Sequence, residues 1–201
     1  MHDKTKLMEQ WKDVSCMDLY AEVVKRMNTA LLFHSSLSDY FNFLGLHGFK
    51  RIHEYQYFCE SIEKRKLQRK VLDVHNKIVP MLGHDKIEVI PADWYKHTRM
   101  DIDDNVVAKY VRSALKYYKE WEEETKCIYE CAACVFLDKG ELVDYEIMMC
   151  CVEDVQEELK KIYRLCEELN GVGYDTLYIM EIQKRIHNEY KCKMKHLKIQ
   201  N

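Results

Sequence analysis

The sequence predicts an all-α protein: a four-helix bundle with one long crossover and a short C-terminal fifth helix. Three observations predict it. Glycine and proline are scarce, six and two in 201 residues, and they divide the chain into long uninterrupted segments. Each segment carries apolar residues at helical spacing. The links between segments run short, long, short, and this order fixes the direction of each helix.

The first segment, residues 16–44, sets Tyr20, Val23, Met27, Leu37 and Phe41 on one face, with His34 among them. Gly45 and Gly48 break the pattern. The second, 49–79, gives Phe49, Ile52, Gln56, Glu63, Leu67 and Val71, with Val74 and Ile78 continuing the stripe. Pro80, Gly83 and Pro91 mark a connection that lasts to about residue 105. The third segment, 106–138, repeats through Val111, Ala114, Tyr118, Trp121, Thr125 and Ile128 before Gly140. The fourth, 141–170, repeats through Val143, Ile147, Cys151, Asp154, Glu158 and Ile162. Gly171 and Gly173 precede the fifth helix, 176–196.

Helices of roughly 30 residues are about 45 Å long. Links of about four residues between the first and second helices, and between the third and fourth, force antiparallel hairpins. The 25 or so residues between the second and third reach about 80 Å when extended. They can return along the whole bundle, so the third helix can run parallel to the second. Residues 1–201 are expected to form a single domain.

Composition excludes several classes of function. A net charge of −3 gives no footprint for nucleic acid or an anionic membrane surface. Apolar runs such as Cys131–Leu137 are too short for a membrane span. The N-terminal stretch MHDKTKLMEQWKD lacks the apolar block of a signal peptide, and the expected location is cytoplasmic. Nine scattered cysteines suit free thiols packed as small apolar groups. Cys127, Cys131, Cys134, Cys150 and Cys151 flank the Gly140 turn. Because their CxxC spacing falls on a helix rather than in a knuckle, free thiols are favoured over a thiolate metal site or a disulfide. His75, His84 and His97 are dispersed and suggest no site. Trp94 and Tyr95 are expected to pack the crossover onto the bundle. The basic tail KCKMKHLKIQN is expected to extend the fifth helix or lie on a neighbouring subunit.

Polar groups recur on the apolar seams. Counted from the Gly45–Gly48 end, His34, Glu60, Tyr118, Asp154 and Glu158 lie about 10 to 16 residues in, within roughly two turns of one another. Glu60 and Glu63 share a face, as do Asp154 and Glu158, and Glu122 is one turn beyond Tyr118. A buried unpaired carboxylate costs on the order of several kcal/mol, so such a cluster needs a proton, a cationic partner or a metal. The candidate metal ligands are Glu60, Glu63, Asp154, Glu158, His34 and Glu122. Spacing alone leaves a second option open, a solvated edge in which ESIEKRK forms ordinary Glu–Lys pairs.

Four stretches carry a resemblance to a known family. LGLHGFKRIHEYQYFCESIE resembles a Gly-Leu-x-Gly-Phe turn followed by Gln and Glu-x-x-His. ALKYYKEWEEETKCIYECA resembles the third helix of the same pattern, with Ala114, Leu115, Tyr129 and Glu130 at matching spacing. CVEDVQEEL resembles its acidic fourth helix, and LNGVGYDTLYIMEIQKRI its glycine break and short fifth helix. In this order they resemble the non-haem ferritins over about residues 27–190.

The resemblance implies a ferritin-like fold and ferroxidase chemistry: two irons bridged by carboxylates, with Fe(II) oxidised by oxygen and stored as mineral. It also implies self-association into an oligomer or cage, since the family's fifth helix packs around a symmetry axis. Carried over by position, Glu60 matches the glutamate of Glu-x-x-His, and Glu63 stands where the histidine would be. The first-helix glutamate falls on Met27, and the tyrosine one face further on is His34. The third-helix glutamate falls on Tyr118, with Glu120 and Glu122 nearby, while Asp154 and Glu158 match the acidic fourth helix. A thioether does not replace a bridging carboxylate on a hard ferrous ion, and a protonated phenol does so poorly.

The expectation is therefore an iron-binding or iron-storage protein with a divergent, impaired carboxylate site and non-haem iron as its ion. Ferroxidase activity is expected only if that site functions. The alternative is a ferritin-derived structural or interaction protein that has lost iron chemistry. A diiron or dimanganese oxidase is weaker, because the chain has no Glu-x-x-His motif, let alone the two such sites use.

Overall fold

The structure, a computed structural model, describes residues 4–87 and 103–200. Six helices account for most of them: α1 (Lys4–Trp11), α2 (Cys16–Phe43), α3 (His47–His75), α4 (Asp104–Asp138), α5 (Leu142–Gly171) and α6 (Thr176–Gln200). There is no strand among the described residues.

Helix starts are set by side-chain caps, which satisfy backbone N–H groups that have no intrahelical partner. The Asp18 N–H donates to Ser15 Oγ (3.2 Å) at α2, the Val106 N–H to Asp103 Oδ1 (2.8 Å) at α4, and the Tyr178 N–H to Asp175 Oδ1 (3.0 Å) at α6. Helix ends at the two tight turns use glycine. Gly45 takes φ 75°, while the Leu46 N–H reaches Phe41 O (2.9 Å) and its own N–H reaches Asn42 O (3.1 Å). These are the paired bonds of a Schellman stop, which needs a left-handed residue. Gly140 closes α4 in the same way, with the Glu141 N–H on Phe136 O (2.9 Å).

Three boundaries differ from expectation. Helix α3 stops at His75 rather than near residue 79. Asn76 adopts φ 50° and gives its N–H to Leu72 O (2.8 Å), a left-handed stop that asparagine tolerates better than most residues. Val74, still within α3, and Ile78, beyond its end, were read as seam residues and are exposed. Helix α1 was not anticipated. Its composition is polar, yet Leu7 and Trp11 rest on the core. Helix α6 has 25 residues and runs past residue 196, because the basic tail extends it through Gln200, one of the two courses expected for that tail. Most of the expected crossover, with Trp94 and Tyr95, lies outside the described residues.

The chain divides into two units. Unit 1 comprises the described residues within Met1–Thr29, Ile62–Asp85 and Tyr118–Arg164. Its core joins Tyr20, Val23 and Met27 of α2 to Leu67 and Val71 of α3, Ile128 and Phe136 of α4, and Met148, Val152 and Leu159 of α5. In this unit α2 runs antiparallel to α3, with Cys16 beside His75 and Asn28 beside Lys64. It also runs antiparallel to α4, with Tyr20 against Phe136 and Arg26 against Thr125. The segment after α3 begins along α2: Asn28 Nδ2 donates to Gly83 O (2.9 Å), and the Asp85 N–H donates to Thr29 Oγ1 (2.9 Å).

Unit 2 comprises the described residues within Ala30–Ser61, Lys86–Tyr117 and Leu165–Asn201. Phe41 and Phe49 stack here with ring centroids 5.2 Å apart, and Tyr40 packs on Tyr110. Helix α6 meets the start of α3 at Gly48, where an added Cβ would lie 1.9 Å from the backbone oxygen of Gln183. The Gly48 N–H donates to Gln183 Oε1 (3.0 Å). No helix among the described residues is long and apolar enough to cross a membrane.

Candidate metal centres

Unit 1 gathers acids from three helices: Glu63 of α3, Glu122 of α4, and Asp154 and Glu158 of α5. Glu122 is 3% exposed. Burial pushes its carboxyl up to about 8; Glu158 and Glu63 add to the rise, and Arg26 opposes it. Glu63 is half-buried. Its carboxyl is raised first by burial and then by repulsion from Asp154 and Glu158. Desolvation and like charge both disfavour ionisation, so these groups hold protons more tightly than free carboxylates. Glu158 accepts the Tyr118 hydroxyl on Oε1 (2.7 Å) and pairs through Oε2 with Lys161 Nζ (3.1 Å). Asp154 is exposed, at the rim.

The two positions where the family pattern has glutamates are occupied by core side chains, Met27 and Tyr118, each 2% exposed. Arg26, which opposes the rise at Glu122, was not anticipated. Its guanidinium lies 3.3 Å from the Trp121 ring centre, with Nε on Thr125 Oγ1 (2.9 Å), Nη2 on Trp121 O (2.9 Å) and Nη1 on Glu124 Oε2 (3.2 Å).

The other two predicted ligands belong to unit 2. Glu60 is half-buried on α3. His34 is fully buried, and its Nδ1 lies 3.1 Å from His53 Nδ1. The two rings stack beside Phe33 and Phe41. Burial lowers the His34 ring to about 3, and it lowers His53 too, with His34 adding to the effect. Both rings are neutral, one nitrogen donating and the other accepting. The role of His53 as the partner of His34 was not foreseen, although both fall on the apolar faces of their helices.

The acidic oxygens are not drawn into a tight chelate. Among the described residues, the group of three or more His, Cys, Asp or Glu ligand atoms lying within 4.8 Å of one another is Cys16, His75 and Asp144. Sequence reading set His75 aside as dispersed and did not single out Cys16 or Asp144. All nine cysteines are free thiols.

No protein-family model matches the chain, and no curated protein matches it in sequence. A solved structure does match: an open-pore ferritin from the hyperthermophilic archaeon Archaeoglobus fulgidus, at 18% identity and a TM-score of 0.64. The match covers 88% of this chain and 98% of that one. At that identity the likeness speaks for architecture alone, and on it, together with the all-helical arrangement, the chain has a ferritin-like helical-bundle fold.

Proposed function

We propose that this chain is a ferritin-like iron-binding protein whose site is the acidic cluster of unit 1, with fewer carboxylate ligands than a full ferroxidase centre. The observation that carries this reading is Glu122, buried in the core, its carboxyl pushed up first by that burial and then by Glu158 and Glu63 from neighbouring helices. A divalent cation among them would offset both the repulsion and the burial cost. Oxygen donors suit a hard ferrous ion, whereas Met27 and Tyr118 do not. Fe(II) is here the cargo, held by Glu63, Glu122 and Glu158 with Asp154 at the rim. Glu60 and His34 stay in the proposal as further positions from the sequence pattern.

The antiparallel course of α2 against both α3 and α4 in unit 1 supports a single long crossover between α3 and α4. Self-association into an oligomer or cage and a cytoplasmic location complete the reading. A second reading, a structural relative without iron chemistry, draws support from Tyr118 and Lys161, which already engage both oxygens of Glu158.

Fe(II) oxidation in air, followed by absorbance, separates the two. Slow turnover in the wild type, lost in Glu122→Ala and reduced in Glu60→Ala, is the expected result. Turnover that survives Glu122→Ala would place the site elsewhere, and no uptake in any of the proteins would favour the structural reading.

A further inference from the structure

Three helix ends of unit 1 converge on one point. Cys16 is the first residue of α2, His75 the last of α3, and Asp144 stands in the first turn of α5. Cys16 Sγ lies 3.8 Å from His75 Nε2, which lies 2.7 Å from Asp144 Oδ1. Asp144 is buried, while Cys16 and His75 are half-buried, which leaves a route from solvent. We propose that these three side chains bind a zinc-class divalent cation, with water as the fourth ligand. This site shares no residue with the acidic cluster and does not depend on it.

The donor set selects the ion. Thiolate, imidazole and carboxylate together suit borderline zinc, whereas calcium and magnesium take oxygen alone. Spacing agrees with this choice. Zinc bonds of about 2.0–2.3 Å in a tetrahedron hold ligand atoms roughly 3.4–3.6 Å apart. The sulfur–nitrogen separation is already close to that. The nitrogen–oxygen separation is a hydrogen bond, and it must open by less than ~1 Å when the shared proton leaves.

Proton balance follows from the ligands. The ion takes the Nε2 lone pair, so the ring proton resides on Nδ1, and the thiol proton passes to water. The helix ends suit the ligated ion: Cys16 and Asp144 stand at the positive N-termini of α2 and α5, which favour the thiolate and the carboxylate, and the negative C-terminus of α3, where the neutral His75 ring sits, favours the cation. Tyr20 supplies the outer support. It is fully buried, and its hydroxyl donates to Asp144 Oδ1 (2.7 Å), fixing the carboxylate as outer partners of metal ligands do. A His–Asp–Tyr hydrogen-bond chain alone would satisfy Asp144, but it gives no reason for a cysteine at this junction.

Cobalt(II) is the probe, added to the full-length protein with its thiols reduced. The expected result is a near-ultraviolet thiolate-to-cobalt band that saturates at one equivalent, with tetrahedral d–d intensity, both displaced by zinc. Cys16→Ala should abolish the thiolate band, while Cys151→Ala, at a half-buried thiol elsewhere in unit 1, should leave it intact. Tyr20→Phe should weaken zinc binding by about 10-fold and His75→Gln by more than that. Circular dichroism confirms that each variant is folded. A readout that needs no variant is protection of Cys16 from alkylation by added zinc, mapped by peptide mass. No thiolate band in the wild type, a band unchanged in Cys16→Ala, or Cys16 alkylated equally with and without zinc would overturn the proposal.

Discussion

Arg26 shows how one side chain conditions the acids around it. It stacks on Trp121, fills three hydrogen bonds and holds down the Glu122 carboxyl that burial raises. Arg26→Met keeps much of the volume but removes the guanidinium donors to Glu124, Thr125 and the Trp121 carbonyl, of which the carbonyl keeps the Thr125 hydroxyl. Breaking a buried charged network of this kind costs about 3 kcal/mol, to be read from urea unfolding at neutral pH; a change below about 1 kcal/mol would place Arg26 outside the network.

The histidine pair makes a second prediction at this scale. The folded pKa of His34 is depressed to about 3 and that of His53 is depressed as well, so below pH ~6.5 the unfolded chain binds more protons. Stability from this pair is present above that pH and falls as pH drops, by about 1.4 kcal/mol per unit for each ring. Charged groups lining the cavity beside His53 are Asp39, Lys50, Arg51 and Glu54. Glu122 acts in the opposite sense: its raised pKa stabilises the fold at low pH, and that contribution is lost as pH rises towards 8. The discriminating comparison is therefore wild type against His34→Leu between pH 6.5 and 4.5, where the variant should lose about one ring's share of the slope. Identical slopes would contradict the assignment.

Legibility at the residue scale followed burial. Glu63, Glu122 and Glu158 stood out in the sequence because a carboxylate on an apolar seam is costly. Arg26 and His53 were missed because which seam residues face each other depends on helix rotation, which spacing does not fix. Cys16, His75 and Asp144 were missed for a different reason. They meet only because three helices end at one place, and those ends are 59 and 69 positions apart along the chain. The Ser15 cap was the one local signal that Cys16 opens a helix.

At the scale of elements, the tight turns were readable because glycine acts within a few residues. The end of α3 was not, since a left-handed Asn76 outweighed a hydrophobic stripe running on to Ile78. Helix α1 was hidden because two apolar residues on a polar helix give no periodic signal. Gly48 tests the packing of α6. In Gly48→Ala the new methyl meets a backbone oxygen, which no side-chain rotation relieves, so α6 must shift. Hydrogen exchange at Ile179, Ile182 and Ile186 should accelerate by at least about 10-fold, whereas Gly45→Ala, with open space around its Cβ, should cost only about 1 kcal/mol and leave α6 protected. Equal protection in both variants would show that the contact does not hold α6.

For the molecule as a whole, the class of fold was legible because four long periods and three link lengths admit few topologies. Assembly is less so, since it depends on surfaces. Exposed Tyr57, Phe58, Leu142, Val143 and Leu177 offer apolar area suited to contacts between copies. Sedimentation at micromolar concentration should accordingly give a species larger than a dimer, and a monomeric boundary would remove the cage from the proposal.

The most direct test of the acidic cluster is iron bound per chain, measured by elemental analysis after anaerobic Fe(II) loading and desalting. The wild type should retain iron near one ion per chain or below, fewer than a two-iron centre holds. Combined Glu63→Ala and Glu122→Ala substitutions should bring it to background while Cys16→Ala leaves it unchanged. Equal iron in the wild type and the double variant would contradict the account.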